Sequence, residues 1–237
     1  MTTMSDASLT PAVSVTGLTK RYGRLVALED VSFHVKAGEI LGIIGPNGAG
    51  KTTLLECLVG QLPIDGGTIA HGPASAVFYL PDAIAPWPAQ TVRWALDFVT
   101  GFMNGRVDAV ADTIRNLSLA PFLDQPIGTL SKGQRKRALL AIGLLTPQPI
   151  LVFDEPFDGL DLRQTRDVAA MLRRLAAAGR TFVLSIHQIA DAAGVCDRFV
   201  LLSAGRVCGQ GTLDELAVRA GVPASPGALP EVFLALT

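Results

Sequence analysis

Apolar residues recur along the chain with two different periods, which separate predicted strands from predicted helices. Val31, Phe33 and Val35 alternate with polar residues, as in a half-buried strand. Leu54 and Leu58 lie at helical spacing. On this basis the first third of the chain is predicted to contain strands at 13–18, 31–35, 38–45, 68–70 and 76–80 and a helix at 51–62.

The middle of the chain changes to helical patterns. Residues 91–103 carry one apolar helical stripe and residues 107–119 carry another, and Asn104 and Gly105 separate the two. We therefore predict a helical subdomain at about 82–127, inserted into an α/β core.

The second half alternates between short apolar strands and amphipathic helices. The predicted elements are strands at 150–153, 181–186 and 199–202, helices at 161–178 and 189–196, and two short helices in a tail at 212–237. Such βαβ alternation favours a mostly parallel sheet that is covered by helices. The pattern thus predicts an α/β fold.

Composition narrows the classes of function. The net charge is −1, so the chain offers no general attraction for nucleic acid or an anionic membrane surface. Its three cysteines form no CxxC pair, which argues against a disulfide framework or a zinc cage and favours a reducing, cytoplasmic compartment. The N-terminus lacks a signal-peptide pattern, and no apolar run approaches the roughly 18 residues of a membrane span. If the protein works at a membrane, another chain must supply the membrane-spanning segments.

The strongest chemical signal is a glycine-rich loop at 45–52. Its sequence, GPNGAGKT, matches GxxxxGK[ST] in full, after an apolar strand and before a helix. In such a phosphate loop, backbone N–H groups and the helix N-terminus converge on phosphate oxygens. Lys51 would reach the β- and γ-phosphates, and the Thr52 hydroxyl would ligate Mg²⁺. The candidate nucleotide-binding residues here are Gly45, Pro46, Asn47, Gly48, Ala49, Gly50, Lys51, Thr52 and Thr53.

Two carboxylates follow the apolar strand at 150–153. Ligands of open parallel sheets lie beyond this edge of the sheet. Asp154 would hold Mg²⁺ through water, because magnesium keeps several of its waters. Glu155 points elsewhere and can polarise an attacking water. The strand end is therefore a candidate site for hydrolysis.

Three further motifs narrow the class of protein. They are LSKGQR at 130–135, Gly159-Leu160-Asp161 after the acidic pair, and His187 at the end of a strand. This ordered set resembles the ATP-binding subunit of ABC transporters, over about residues 13–211. The resemblance implies a P-loop NTPase core with an N-terminal antiparallel β part, preceded by a flexible N-terminus at 1–12.

The resemblance also implies roles for single residues. Tyr22 would stack on adenine, and His187 would contact the γ-phosphate. Ser131 and Gly133 would contact ATP held by a second subunit, and Asp161 would shape that opposing site. The implied assembly is a head-to-tail dimer closed by two ATP molecules, with a second copy of this chain preferred to a different subunit. The catalytic candidates are Glu155, His187 and Lys51, and the metal-ligand candidates are Thr52, Asp154 and Asp82.

Two positions depart from the family pattern. Asp82 stands where the family usually has Gln, as it does in subfamilies that pair with two-component exporters; its oxygen could still meet Mg²⁺, but it adds negative charge. Lys132 replaces the commonest glycine of the 130–135 motif. Together with Arg135, Lys136 and Arg137 it forms a basic cluster, which we interpret as a solvated helix face partly directed at the nucleotide and not as a nucleic-acid site.

The resulting hypothesis is an ATP- and Mg²⁺-dependent ATPase subunit, peripheral on the cytoplasmic side of the cell membrane, that powers export through a separate permease. Residues around 82–94 are predicted to receive a permease helix. The segment 229–236 resembles the C-terminal helix of export-type subunits and equally fits a plain capping helix. Two alternatives stay open: a soluble ABC-type ATPase acting on ribosomes or DNA, and a nucleotide-gated clamp with negligible turnover.

Overall fold

Two β-sheets and their surrounding helices make up the computed structural model, which describes residues 11–72, 76–82, 84–187, 192–225 and 227–237. The strands are β1 (Val13–Tyr22), β2 (Leu25–Val35), β3 (Ile40–Ile44), β4 (Gly66–His71), β5 (Val77–Leu80), β6 (Ile150–Asp154), β7 (Thr181–Ile186), β8 (Arg198–Ser203) and β9 (Arg206–Gly211). The helices are α1 (Lys51–Leu58), α2 (Val92–Gly101), α3 (Val110–Asn116), α4 (Lys132–Leu145), α5 (Leu162–Ala177), α6 (Leu213–Ala220) and α7 (Leu229–Leu236). Among these helices, none combines the length and the apolar character that crossing a membrane requires.

The two sheets differ in strand direction. The first has three antiparallel strands in the order β2-β1-β4, and the second has six strands in the order β5-β6-β7-β3-β8-β9. The five neighbouring strands β5, β6, β7, β3 and β8 are parallel to one another, and β9 pairs antiparallel with β8 at the edge. This arrangement confirms the predicted α/β fold, with a mostly parallel sheet and an antiparallel N-terminal part.

The six-stranded sheet is apolar on both faces. In β3, Ile40 and Ile44 contribute to a core shared with α2, α4 and α5, whereas Leu41 and Ile43 contribute to a core shared with α1 and the antiparallel sheet. Successive side chains of a strand point to opposite faces, so a strand covered on both sides is apolar at consecutive positions. The phosphate loop therefore begins at the end of a fully buried strand.

Helices and short 3₁₀ turns fill the chain between β5 and β6. The predicted helices at 91–103 and 107–119 are present but shorter, as α2 and as α3 preceded by a 3₁₀ turn at 107–109. Asn104 (φ 52°) and Ser118 (φ 50°) lie just beyond them in the left-handed region. A left-handed residue ends helical hydrogen bonding, which explains the earlier stops.

The sequence pattern also missed some strand residues. Strand β2 begins at Leu25 and not at residue 31, and β9 was not predicted, because its sequence RVCGQG has little apolar alternation. Ala204 (φ 46°) and Gly205 (φ 76°) form the tight turn that folds β9 back onto β8. Residues 189–191 of the predicted helix at 189–196, and residues 1–10 of the predicted flexible N-terminus at 1–12, lie outside the described residues.

Three of the described helices have a capping residue at their N-terminus, whose side chain accepts a hydrogen bond from a backbone N–H that has no partner within the helix. In each capping box the first side chain accepts from a backbone N–H three residues later, and a Gln or Glu side chain reaches back. The pairs are Ser131 with Gln134 in α4, Asp161 with Gln164 in α5, and Thr212 with Glu215 in α6. Two of these capping residues, Ser131 and Asp161, are also the residues for which the sequence resemblance implies contact with a nucleotide.

Arg180 fastens the C-terminal end of α4. Its guanidinium is buried and donates to the carbonyl oxygens of Leu144 (2.6 Å), Thr146 (3.1 Å) and Gln148 (2.8 Å). Burial lowers the pKa of Arg180 to about 10, so the side chain stays charged at neutral pH. One side chain therefore satisfies carbonyl groups that the end of the helix leaves without partners.

We expect Arg180→Met to lower the free energy of unfolding by about 3 kcal/mol or more, because each buried acceptor left unpaired costs about 1–3 kcal/mol. Urea unfolding of the full chain measures the change. Arg174→Met, at an exposed position in the last turn of α5, is the matched control and should shift stability by less than about 0.5 kcal/mol. Equal urea midpoints for the two variants would contradict the role given to Arg180.

Candidate nucleotide-binding site

The glycine-rich loop at 45–50 joins the end of β3 to the start of α1. A side-chain carbon at Gly45 would lie 2.3 Å from the Leu202 carbonyl oxygen. Gly50 has a φ of 101° in the left-handed region and directly precedes Lys51. A larger residue at either glycine would displace the loop. The motif glycines therefore stand where the local geometry requires them.

The loop forms one wall of a cavity of about 620 Å³, within the usual size range of small-molecule sites. The predicted residues that line it are Tyr22, Pro46, Asn47, Gly48, Gly50, Lys51, Thr52, Thr53, Asp82, Asp154 and Glu155. Gly45 and Ala49 are buried in the loop itself. The lining residues that sequence reasoning missed are Leu25, Val26, Ala27, Ala204 and Gly205. They come from β2 and the β8–β9 turn, and no local motif marks them.

Lys51 is buried where the loop meets the acidic pair. Its ammonium group donates to the carbonyl oxygens of Gly45 (2.8 Å) and Pro46 (3.3 Å). It also lies 3.4 Å from Glu155 Oε1. The two carbonyl contacts hold the Lys51 side chain across the loop, so that its ammonium group lies beside the Glu155 carboxylate in the cavity.

Thr52 and Asp154, two of the predicted metal ligands, lie together where α1 faces the end of β6. Thr52 Oγ1 donates to Asp154 Oδ2 at 2.8 Å, and Asp154 Oδ1 accepts from the Ser185 hydroxyl. Hydroxyl and carboxylate oxygens are the ligands that magnesium prefers, so this donor set fits Mg²⁺. Burial, and then the Asp154 charge, raise the pKa of the Tyr79 phenol, which therefore stays protonated near this site.

Glu155 is held by both its backbone and its side chain. Its φ of 49° is unusual for a residue other than glycine. Its N–H donates to Ser185 Oγ at 2.9 Å, and its carbonyl accepts from Lys136 Nζ at 2.9 Å. Its Oε2 accepts from the His187 N–H at 3.1 Å and lies 2.6 Å from His187 Nδ1. The carboxylate is thus oriented between Lys51 and His187.

Tyr22 lies at the rim of the same cavity. The residue is 47% exposed, and the Lys20 ammonium lies 5.5 Å from the centre of its ring. Tyr22 is therefore not a tyrosine packed into the core. Its ring offers an aromatic surface to a ligand that enters the cavity.

The basic cluster on α4 is not a solvated face throughout. Lys132 is exposed and forms an ion pair with Asp158 at 2.6 Å. Lys136, by contrast, is only 4% exposed and forms an ion pair with Asp82 at 2.7 Å. The expectation of a solvated face is therefore wrong for Lys136, because the helix turns this position inward towards β5 and β6.

Ser131, Gly133 and Asp161 lie together but outside the cavity. Ser131 and Asp161 are exposed and begin α4 and α5. A side-chain carbon at Gly133 would lie 2.5 Å from the Gly159 carbonyl oxygen, so the two helix starts are neighbours. None of the three residues lines the cavity. They form a second polar surface, separate from the phosphate loop.

The fold and the cavity together define a P-loop NTPase. The profile of the ABC transporter family matches residues 28–158, more than half of the chain. The chain belongs to this family, as an ATP-binding chain whose ATPase activity is coupled to transport.

Similar proteins include subunits of both export and import systems. The chain is 34% identical over 221 residues to "Nod factor export ATP-binding protein I" of Ralstonia nicotianae, covering 87% of this chain and 69% of that protein. It is 33% identical over 247 residues to "Cobalt import ATP-binding protein CbiO" of Rhodobacter capsulatus, covering 96% and 88%. A solved structure described as the ATP-binding subunit of an ABC transporter has a TM-score of 0.85 at 28% identity, covering 96% of this chain and 99% of that one.

Proposed function

We propose that this chain hydrolyses ATP to drive a substrate across a membrane through a separate permease chain. The observation that carries the proposal is the convergence of Lys51, Glu155 and His187 beside the Thr52–Asp154 pair. A phosphate-binding cation, a candidate base and magnesium-type oxygens in one site are what ATP hydrolysis requires. Relatives named as ATP-binding proteins of export and import systems support the transport role.

In the proposed complex, ATP extends from the rim to the base of the cavity. The half-exposed Tyr22 ring stacks on adenine, a contact worth about 1–3 kcal/mol. The loop N–H groups and the Lys51 ammonium bind the triphosphate. Thr52 and Asp154 hold Mg²⁺, with Asp82 as a third candidate ligand. The ion supplies charge neutralisation on the phosphate oxygens.

Glu155 is the proposed general base. Its carboxylate accepts a proton from the attacking water, a contribution that is typically worth 10²- to 10⁴-fold in rate. The two contacts from His187 keep the carboxylate in place. His187, which directly follows β7, is the residue proposed to contact the γ-phosphate. Lys51 stabilises the charge that develops on the transferred phosphoryl group.

A second copy of the chain completes the proposed site. Ser131 and Asp161 are exposed, and with Gly133 they form a polar surface away from the cavity of the same chain. The N-terminus of α4 and the Ser131 hydroxyl suit an anion. A head-to-tail dimer would place this surface over the ATP of its partner.

An exposed row of aromatic rings supports docking to a permease helix. This aromatic ladder consists of Trp87, Trp94, Phe98 and Phe102, with neighbouring ring centres 5.1–5.6 Å apart. Trp94 is 38% exposed and Phe102 is 79% exposed. Exposed apolar surface of this kind typically marks a protein interface. We place the chain at the membrane periphery, on the cytoplasmic side, and the acidic Asp82, which resembles the residue of subfamilies that pair with two-component exporters, favours export.

Trp94→Asp tests the transport role. In a steady-state ATPase assay, washed membranes of the source cell should stimulate the parent chain, and the ratio of stimulated to basal rate should fall close to one in the variant. The reason is that an aspartate within the aromatic ladder must be desolvated when a helix docks there.

Val218→Asp is the matched control, since Val218 is 82% exposed on α6, away from the aromatic ladder. It should retain the stimulation. The docking proposal fails if Trp94→Asp is stimulated as strongly as this control. Absence of any stimulation of the parent chain would count against the transport role itself.

A further inference from the structure

Lys136 is a buried lysine that the roles above leave unexplained. It lies on α4 and is 4% exposed. Its ammonium group donates to Asp82 Oδ1 at 2.7 Å and to the Glu155 carbonyl oxygen at 2.9 Å. Lys136 thus joins three segments that are distant in sequence: the turn after β5, the helix α4 and the strand end that carries the proposed base.

The ion pair makes Lys136 and Asp82 depend on each other. An ammonium ion so little exposed has lost most of its hydration and needs a charged or polar partner. Asp82 lines the same cavity as Asp154 and Glu155. Without Lys136, the Asp82 carboxylate would be a third negative charge that has lost its ion-pair partner.

The contact to Glu155 bears on the orientation of the proposed base. The left-handed backbone of Glu155 (φ 49°) persists only where the surroundings hold it. Ser185 Oγ holds its N–H at 2.9 Å, and Lys136 holds its carbonyl oxygen. If the carbonyl were released, the backbone could relax and turn the carboxylate away from Lys51 and His187.

We propose that Lys136 is a positioning residue, which holds the Glu155 carboxylate in its working orientation and ties that orientation to the position of Asp82. A movement of Asp82 in the turn after β5 would therefore change the position of Glu155 through the Lys136 side chain. This inference rests on the proposed function of Glu155.

Lys136→Met tests the proposal, because methionine fills similar space but cannot donate. We expect kcat for ATP to fall about tenfold or more while KM stays within about threefold, since orientation and not binding is lost. The urea midpoint without nucleotide should also fall, because Asp82 loses its partner. Lys36→Met, at an exposed position, is the matched control and should match the parent in both measurements.

Adding Asp82→Asn to Lys136→Met separates positioning from stability. The double variant removes the unpaired carboxylate, so its urea midpoint should recover towards the parent and the chain should fold even where the single variant does not. Its kcat should stay about tenfold or more below that of Asp82→Asn alone, because nothing restores the hydrogen bond to the Glu155 carbonyl. The Asp82→Asn variant is the reference here because Asp82 is also a candidate magnesium ligand. A double variant with the kcat of Asp82→Asn would overturn the proposal, and so would a parental kcat in Lys136→Met.

The outcome is distinguishable from failure of the proposed base. If Glu155→Gln retains the parental rate, the function proposed for Glu155 fails. If Glu155→Gln is inactive but the double variant at Lys136 and Asp82 hydrolyses ATP as fast as Asp82→Asn alone, only the positioning role fails.

Discussion

Glu155→Gln should reduce steady-state ATP hydrolysis by about 10²- to 10⁴-fold while the chain still binds ATP. The amide keeps the shape of the side chain and an oxygen that can accept from the His187 N–H, but it cannot take a proton from water. ATP affinity should hold or rise, because the variant removes a negative charge that lies 3.4 Å from Lys51. Phosphate release and calorimetric ATP binding measure the two effects.

The Glu155→Gln variant also tests the proposed ATP-closed dimer. If hydrolysis reopens a dimer that ATP closes, Glu155→Gln should accumulate as a dimer with Mg-ATP in size-exclusion chromatography. Glu231→Gln, at an exposed position on α7, is the control and should hydrolyse ATP as the parent does. A Glu155→Gln chain with the parental rate would remove Glu155 from the role of base.

Lys51→Ala should weaken ATP binding by about 2–5 kcal/mol, the usual cost of removing one member of a buried, hydrogen-bonded charge pair. That range corresponds to an affinity loss of about thirtyfold to several thousandfold. Two effects act in the same direction. The triphosphate loses a cation, and Glu155 loses the ammonium that offsets its charge in the cavity.

Calorimetry with Mg-ATP measures the loss of affinity, and hydrolysis should fall with it. Lys36→Ala removes the same charge at an exposed position and should bind ATP as the parent does. The Lys51→Ala chain should keep its fold, because the glycines and not the lysine set the loop backbone. ATP binding as tight as that of the parent would contradict the assignment of the phosphate loop.

Local chemistry made much of this site predictable. The phosphate loop combines glycines at positions of positive φ or close approach with a lysine and a threonine, so its sequence carries its geometry. Asp154 and Glu155 were found because an apolar strand ends in two carboxylates, and such strands end at the ligand edge of a parallel sheet. The α/β fold could be predicted because short apolar strands alternate with amphipathic helices along the chain.

Other features depended on contacts between segments far apart in the chain. The basic run on α4 has a charge pattern typical of a solvated face, yet the packing of the helix buries Lys136 against Asp82. Ser185 looks like an ordinary strand residue, but it holds both Asp154 and the backbone of Glu155. The cavity wall from β2 and the β8–β9 turn has no motif of its own.

The class of fold, the phosphate loop and the acidic pair can be predicted from the amino-acid sequence, because backbone preferences and apolar periodicity depend on neighbouring residues. Which charges meet depends instead on the packing of the folded chain. Lys51 faces Glu155, Lys136 faces Asp82, and Ser131 and Asp161 lie away from the cavity of their own chain. Such pairings follow from how helices and strands pack across long sequence separations, which no local pattern records.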